Sequence, residues 1–264
     1  MSLNVELNED QTKAREEIEA SIIMRRFHLL TGNAGTGKTT LMQMLAMAQV
    51  RTGIGLVLTA PTHKAVAVLE RKLKAAGLLI PCMTIHALLS LRPKAQGDKQ
   101  IFVRNPKAKA VTQNLIIIDE ASMLDASMMT HIERHLSGRA VVFVGDPAQL
   151  PPVGEKESRS FDVMPRSHLG KIVRQAEGNP IIAASAVIRA NQENPDADMD
   201  WSWCIEARKD NIGVFLPGRE NDAWMRKAFT SEAFAADPDT FRYLCWTNAR
   251  VAEINARIRR WIHG

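Results

Sequence analysis

Cysteine is scarce: Cys82, Cys204 and Cys245 are the only three in 264 residues. They stand far apart, are odd in number and share no metal-ligand spacing, which argues against a disulfide framework and a cysteine-built zinc site. Their expected role is that of small buried apolar residues. No apolar run is long enough to cross a bilayer. The opening MSLNVELNED lacks the basic-then-apolar pattern of a secretory signal. A cytoplasmic protein with no membrane partner is therefore expected. Internal repeats and low-complexity tracts are absent too. What remains is the composition of an ordinary globular protein, 45% hydrophobic and 24% charged, with enough chain for one large domain or two modest ones.

The net charge is +5, and it is concentrated. Between Leu91 and Asn114, the basic residues Arg92, Lys94, Lys99, Arg104, Lys107 and Lys109 face Asp98 alone. A local excess of this kind suits contact with a polyanion better than a diffuse one would. The same segment predicts a β-hairpin insertion over 91–114, with Gly97-Asp98 at the turn and Ile101-Phe102-Val103 on the second arm. Phe102 is its only aromatic residue. It is placed to stack on a base or to pack down onto the neighbouring domain.

The densest chemical signal is LLTGNAGTGKTTL, Leu29 to Leu41. Gly32, Asn33, Ala34, Gly35, Thr36, Gly37, Lys38, Thr39 and Thr40 form a phosphate loop between an apolar strand (27–30) and a helical run (39–50). Glycines let backbone N–H groups wrap phosphates, and the helix N-terminus adds partial positive charge. Lys38 reaches the phosphates, and Thr39 is suited to ligate the Mg²⁺ that travels with ATP.

Around this loop, strands at 55–60, 115–118 and 140–144 alternate with helices starting at the Asn8 cap, at 65, at Thr84-Ile85-His86 and after Asp125. Such alternation predicts an α/β fold built on a parallel sheet flanked by helices, with ligands at the carboxyl ends of the strands. The first domain is expected over 1–170. The remainder, 171–264, reads as a thin second domain with a helix from Asn179-Pro180, strands at 201–206 and 243–246, and a helix at 251–262.

Leu115 to Ile118 ends in Asp119-Glu120. Two adjacent carboxylates closing a buried strand are costly without a cation or partner. Asp119 suits a metal-organising role, and Glu120 suits a base for the attacking water. Gln149, in GDPAQLPP after the next strand, carries a side chain that both donates and accepts, as a sensor beside the γ-phosphate would. Arg174, just past the domain boundary, is a candidate arginine finger, and Gln11 is a candidate adenine reader.

Taken in order, LNEDQ, GNAGTGKTT, APTHKA, TIHALL, IIIDEAS, GDPAQLPPVG, IVRQ and WTNARVAEIN resemble the motifs of superfamily 1B DNA helicases of the Dda and RecD types. The resemblance implies a RecA-like P-loop NTPase domain, with 171–264 as part of a second RecA-like domain. In that family ATP lies between the two domains and single-stranded DNA crosses their tops. It also implies roles: Gln11 for adenine; Lys38, Thr39, Asp119 and Glu120 for Mg²⁺–ATP and water; Gln149 for coupling; Arg174 for the γ-phosphate. Pro61, Thr62, His63, Thr84 and His86 would follow the DNA backbone, and the basic hairpin would be the pin at a single-strand/duplex junction. The resemblance further implies travel from 5′ to 3′. The family's later motifs, which include a second arginine for the γ-phosphate, have no counterpart between Arg174 and Gly264. A partner chain or a further C-terminal segment would complete the second domain. Two functions follow from different classes: a DNA-unwinding motor, or an ATP-dependent nucleic-acid-binding module without unwinding.

Overall fold

The computed structural model describes residues 6–97, 99–171, 180–194, 221–238 and 240–264. Two compact units emerge, Met1–Ala176 and Glu177–Gly264.

The first unit is organised by a six-stranded sheet. Its strands are β1 (Phe27–Gly32), β2 (Leu56–Ala60), β3 (Cys82–Thr84), β6 (Leu115–Ile118), β7 (Ala140–Gly145) and β8 (Arg166–Leu169). Their order is β3-β2-β6-β7-β1-β8, and every pairing is parallel. A parallel sheet covered on both faces needs strands that are apolar on both sides. Leu115–Ile118 and Ala140–Gly145 meet that need, being buried throughout. Helices α1 (Glu9–Ile23), α2 (Lys38–Arg51) and α3 (His63–Ala75) contribute Ile18, Leu41, Leu45, Leu69 and Leu73 to one cluster. On the other face α4 (Ile85–Leu88) and α5 (Ala126–Leu136) bring Ile85, Met129, Ile132 and Leu136 against Ile116, Val141 and Phe143.

Local chemistry sets the helix starts. Asn8 Oδ1 accepts from Gln11 N–H at 2.9 Å while Gln11 Oε1 accepts from Asn8 N–H at 3.1 Å, a reciprocal capping box. Thr62, Thr84 and Asp125 cap the next helices through their side-chain oxygens. His28 is wholly buried. Its Nδ1 lies 2.9 Å from Ser21 Oγ and its Nε2 2.9 Å from Ser167 Oγ, tying α1, β1 and β8 together. Burial holds His28 below the usual histidine range, against the opposing charge of Glu17.

The insertion is a two-stranded antiparallel hairpin, β4 (Leu91–Gln96) and β5 (Lys99–Arg104), with Pro93 opposite Phe102. Gly97 adopts φ 59° at its turn, a left-handed conformation that glycine reaches without strain. Arg104 holds the base of the hairpin: its Nε donates to the Leu89 carbonyl at 3.2 Å and its Nη2 to the Lys109 carbonyl at 2.8 Å.

In the second unit the described elements are helices α6 (Pro180–Glu193), α7 (Asn221–Phe229), α8 (Glu232–Ala236) and α9 (Asn248–His263). Met225, Phe229, Ile254 and Ile258 form its small core. Residues 243–246, expected as a strand, form none: aromatic and apolar side chains favour a strand only where a neighbour supplies the ladder, and here Tyr243 and Cys245 pack against the helical core instead. The expected strand at 201–206 and the Asn179 cap lie outside the described residues. Cys82 and Cys245 are half-buried free thiols rather than fully buried ones, and Cys204 is outside the described set. Burial first, then the Glu70 charge, pushes the Cys82 thiol up to about 11, which leaves it unreactive at neutral pH. No described helix is long and apolar enough to cross a membrane.

Candidate nucleotide site and nucleic-acid face

The site gathers at the carboxyl edge of the sheet. β1 delivers Gly32 and the phosphate loop, β6 delivers Asp119 and Glu120, and β7 delivers Gly145 and Asp146 ahead of Gln149. Ala34, Gly35, Gly37, Lys38, Thr39, Thr40, Lys72, Asp119, Glu120, Asp146 and Gln149 line one cavity of about 170 Å³.

The loop's conformation requires its glycines. Gly37 caps α2 at φ 88°, and an added Cβ there would collide with Gln11 Nε2. At Gly32 a Cβ would lie 2.7 Å from Thr36 Oγ1 and 2.9 Å from the Leu169 carbonyl oxygen. Gly32→Ala is therefore expected to lower stability by about 1–3 kcal/mol, the usual scale of overpacking, and to weaken nucleotide binding by distorting the loop. Thermal unfolding and nucleotide titration check both effects.

Lys38 folds over the loop, its Nζ donating to the carbonyls of Gly32 (2.5 Å) and Asn33 (3.0 Å). Gln11 is buried against the loop. Its Nε2 donates to the Thr36 carbonyl at 3.1 Å while its Oε1 serves the capping box, so it joins α1 to the phosphate loop.

Glu120 has φ 56° and ψ 43°. A non-glycine residue pays about 1–2 kcal/mol in this left-handed region, and such strain persists where the surroundings impose it, often at functional sites. Here it turns the chain sharply at the end of β6, so that Asp119 and Glu120 line the same cavity. Burial raises the pKa of Asp119, opposed by the Glu120 backbone N–H and then by Lys72 and Lys38. Burial also raises Glu120, reinforced by Asp119 and opposed by Lys38 and Lys72.

Thr39 and Asp119 offer hard oxygens of the kind Mg²⁺ takes. No group of three or more His, Cys, Asp or Glu able to hold a metal occurs among the described residues. The fit is to a cation that keeps water and brings phosphate oxygens as further ligands, as Mg²⁺–ATP does, and an ammonium (Lys72 Nζ, 3.4 Å from Thr39 Oγ1) lies beside that position.

Thr62 and Thr84 lie at the ends of neighbouring parallel strands, with Ala60 paired to Thr84. Pro61 is half-buried, His63 is exposed and His86 half-buried beside them. Phe102 is 37% exposed, its ring 4.4 Å from that of His86 at a 57° tilt. His131 Nε2 lies 3.1 Å from the Phe102 carbonyl; that oxygen only accepts, so the imidazole donates. Burial holds His86 below the usual histidine range, although Asp125 pulls it upward. Arg92, Lys94, Lys107 and Lys109 are exposed on or beside the hairpin. Arg174 lies outside the described residues. The motifs do not single out Lys72 or Asp146; a stripe along α3 running Thr62, Ala65, Val68, Lys72 at helical spacing is the signal that points Lys72 into the cleft.

A family model described as an AAA domain matches residues 6–202. The ATP-dependent RecD2 DNA helicase of Deinococcus radiodurans is 33% identical over 182 residues, covering 68% of this chain and 23% of that protein. The ATP-dependent DNA helicase Dda of Enterobacteria phage T4 is 29% identical over 272 residues, covering 97% of this chain and 57% of that one. Among solved structures, Pif1 from Bacteroides sp. in complex with ADP-AlF4 superposes with a TM-score of 0.55 at 21% identity, covering 96% of this chain and 57% of that chain. The chain thus spans less than two thirds of the length of each of these relatives.

Proposed function

This chain belongs to the AAA domain family, with superfamily 1B helicases as its relatives, and on that premise we propose that it is the ATPase portion of a cytoplasmic DNA helicase. The reading is of a motor that moves 5′ to 3′ on single-stranded DNA and opens duplex at a single-strand/duplex junction. One observation carries it. Lys38, Thr39, Asp119, Glu120 and Gln149 line a single cavity, and Thr62 and Thr84 stand on the same edge of the same sheet.

In this reading the backbone of residues 32–40 and Lys38 hold the ATP phosphates, and Thr39 and Asp119 hold the Mg²⁺. That ion, when bound, supplies neutralisation of charge on the phosphate oxygens. Glu120 accepts a proton from the attacking water. Gln149 senses whether the γ-phosphate is present, and Arg174 contributes a second cation to it. Gln11 supports the loop and reads adenine with its remaining amide donor. Pro61, Thr62, His63, Thr84 and His86 contact the DNA backbone, which holds a strand without reading its sequence. A partner chain or further segment completes the second domain. Duplexes with a 5′ or a 3′ single-stranded tail test the polarity: strand displacement is expected only with the 5′ tail, and displacement from the 3′ tail alone contradicts it.

In the same reading the partly exposed Phe102 stacks on a base at the junction. Its replacement by alanine is expected to weaken single-stranded DNA binding by about 1–3 kcal/mol, the worth of one base–aromatic stack. The salt dependence should not change, because that depends on the number of phosphates neutralised. Fluorescence anisotropy at several salt concentrations separates the two.

A further inference from the structure

Lys72 lies in the third turn of α3, outside every motif that marks the site. Its backbone is anchored: Gln43 Nε2 donates to the Lys72 carbonyl at 3.0 Å. Its side chain reaches across to α2, where Nζ stands 3.4 Å from Thr39 Oγ1. Thr39 and Gln43 are one turn apart on α2, so a single helical face holds both ends of this residue. Lys72 also lines the cavity that contains Asp119 and Glu120. Its charge acts on Asp119 ahead of that of Lys38, which is turned back onto the carbonyls of Gly32 and Asn33.

We propose that Lys72 is a resident counter-cation of the nucleotide site, occupying the place beside Thr39 and Asp119 that Mg²⁺ takes, so that metal entry requires its withdrawal. The idea rests on the ATP-site reading above. Two carboxylates closing a buried strand need a positive charge whether or not nucleotide is bound. A lysine suits this use because its compact charge rides on a flexible four-carbon stem. The stem swings out while the helix stays fixed by Gln43. The device has two effects of opposite sign. It stabilises the site, and the phosphates of metal-free ATP, when no metal is present; it opposes the metal when the metal arrives.

The test uses Lys72→Met, which keeps length and removes charge, and Lys72→Gln as a second neutral variant should the first fail to fold. A fluorescent ATP analogue is titrated in EDTA, and then at increasing Mg²⁺. Loss of the charge should weaken metal-free binding several-fold and lower the half-saturating Mg²⁺ concentration by about tenfold, the scale of one charge–charge interaction in a partly exposed site. Lys72→Arg should keep the metal-free affinity. A neutral variant whose half-saturating Mg²⁺ is unchanged or raised overturns the proposal, since a purely structural lysine, or one that only grips phosphate, gives that result. An unmodified chain that binds no nucleotide under any condition overturns the ATP site itself, and the role of Lys72 with it.

Discussion

Glu120→Gln should bind ATP with nearly unchanged affinity and hydrolyse it on the order of 10²–10⁴ times more slowly, the contribution of a positioned general base. The substitution keeps the size and most hydrogen-bonding capacity of the side chain, so the strained turn at φ 56° is retained. What disappears is the carboxylate that takes the proton from water. Burial and the neighbouring Asp119 raise the Glu120 pKa, which brings this base closer to neutrality and makes it more effective there. The sign follows directly: activity is present above the raised pKa and is lost as pH falls through it. The acid limb that this carboxylate sets in the rate profile should vanish in the glutamine variant. Single-turnover hydrolysis across pH, alongside equilibrium nucleotide binding, checks both parts.

Lys38→Ala should be as damaging by a different route. Lys38 Nζ is held by two carbonyls of the phosphate loop itself, within reach of phosphates that the loop would wrap. Removing a preorganised donor aimed at developing charge costs on the order of 10²–10³ in rate, and here nucleotide affinity falls as well because the same cation binds the ground state. Single-stranded DNA binding should keep its affinity and its salt dependence, since the exposed Arg92, Lys94, Lys107 and Lys109 are untouched. Turnover and anisotropy measured on one preparation separate the two functions; unchanged turnover would remove the phosphate loop from the mechanism.

Much of this architecture was legible because parallel strands buried on both faces must be continuously apolar. The runs 115–118 and 140–144 announce themselves in that way, as does the strand before the phosphate loop. The short edge strands β3 and β8 do not. Arg166–Leu169 exposes Arg166 and His168 and buries Ser167 and Leu169, and it exists as a strand because β1 offers it a ladder. Residues 243–246 fail in the opposite sense, with strand-favouring side chains and no partner. In the site, the phosphate loop was readable from spacing alone, since phosphate binding demands a fixed backbone grammar. The reach of Lys72 to Thr39 and of Gln11 to Thr36 was not readable, because each joins elements that only the tertiary packing brings together. Arg104 is a similar case: the charge pattern counts it with the basic residues expected to meet a polyanion, while the fold turns its guanidinium onto the carbonyls of Leu89 and Lys109.

The most direct test of the whole account is the linkage between the two ligands. Affinity for a non-hydrolysable ATP analogue with Mg²⁺ is measured by fluorescence with and without saturating single-stranded oligonucleotide, and oligonucleotide affinity is measured with and without the analogue. A coupled motor predicts that each ligand changes the affinity of the other by the same factor, and that Lys38→Ala abolishes the effect. Two affinities that ignore one another, or coupling that survives the loss of Lys38, would contradict it.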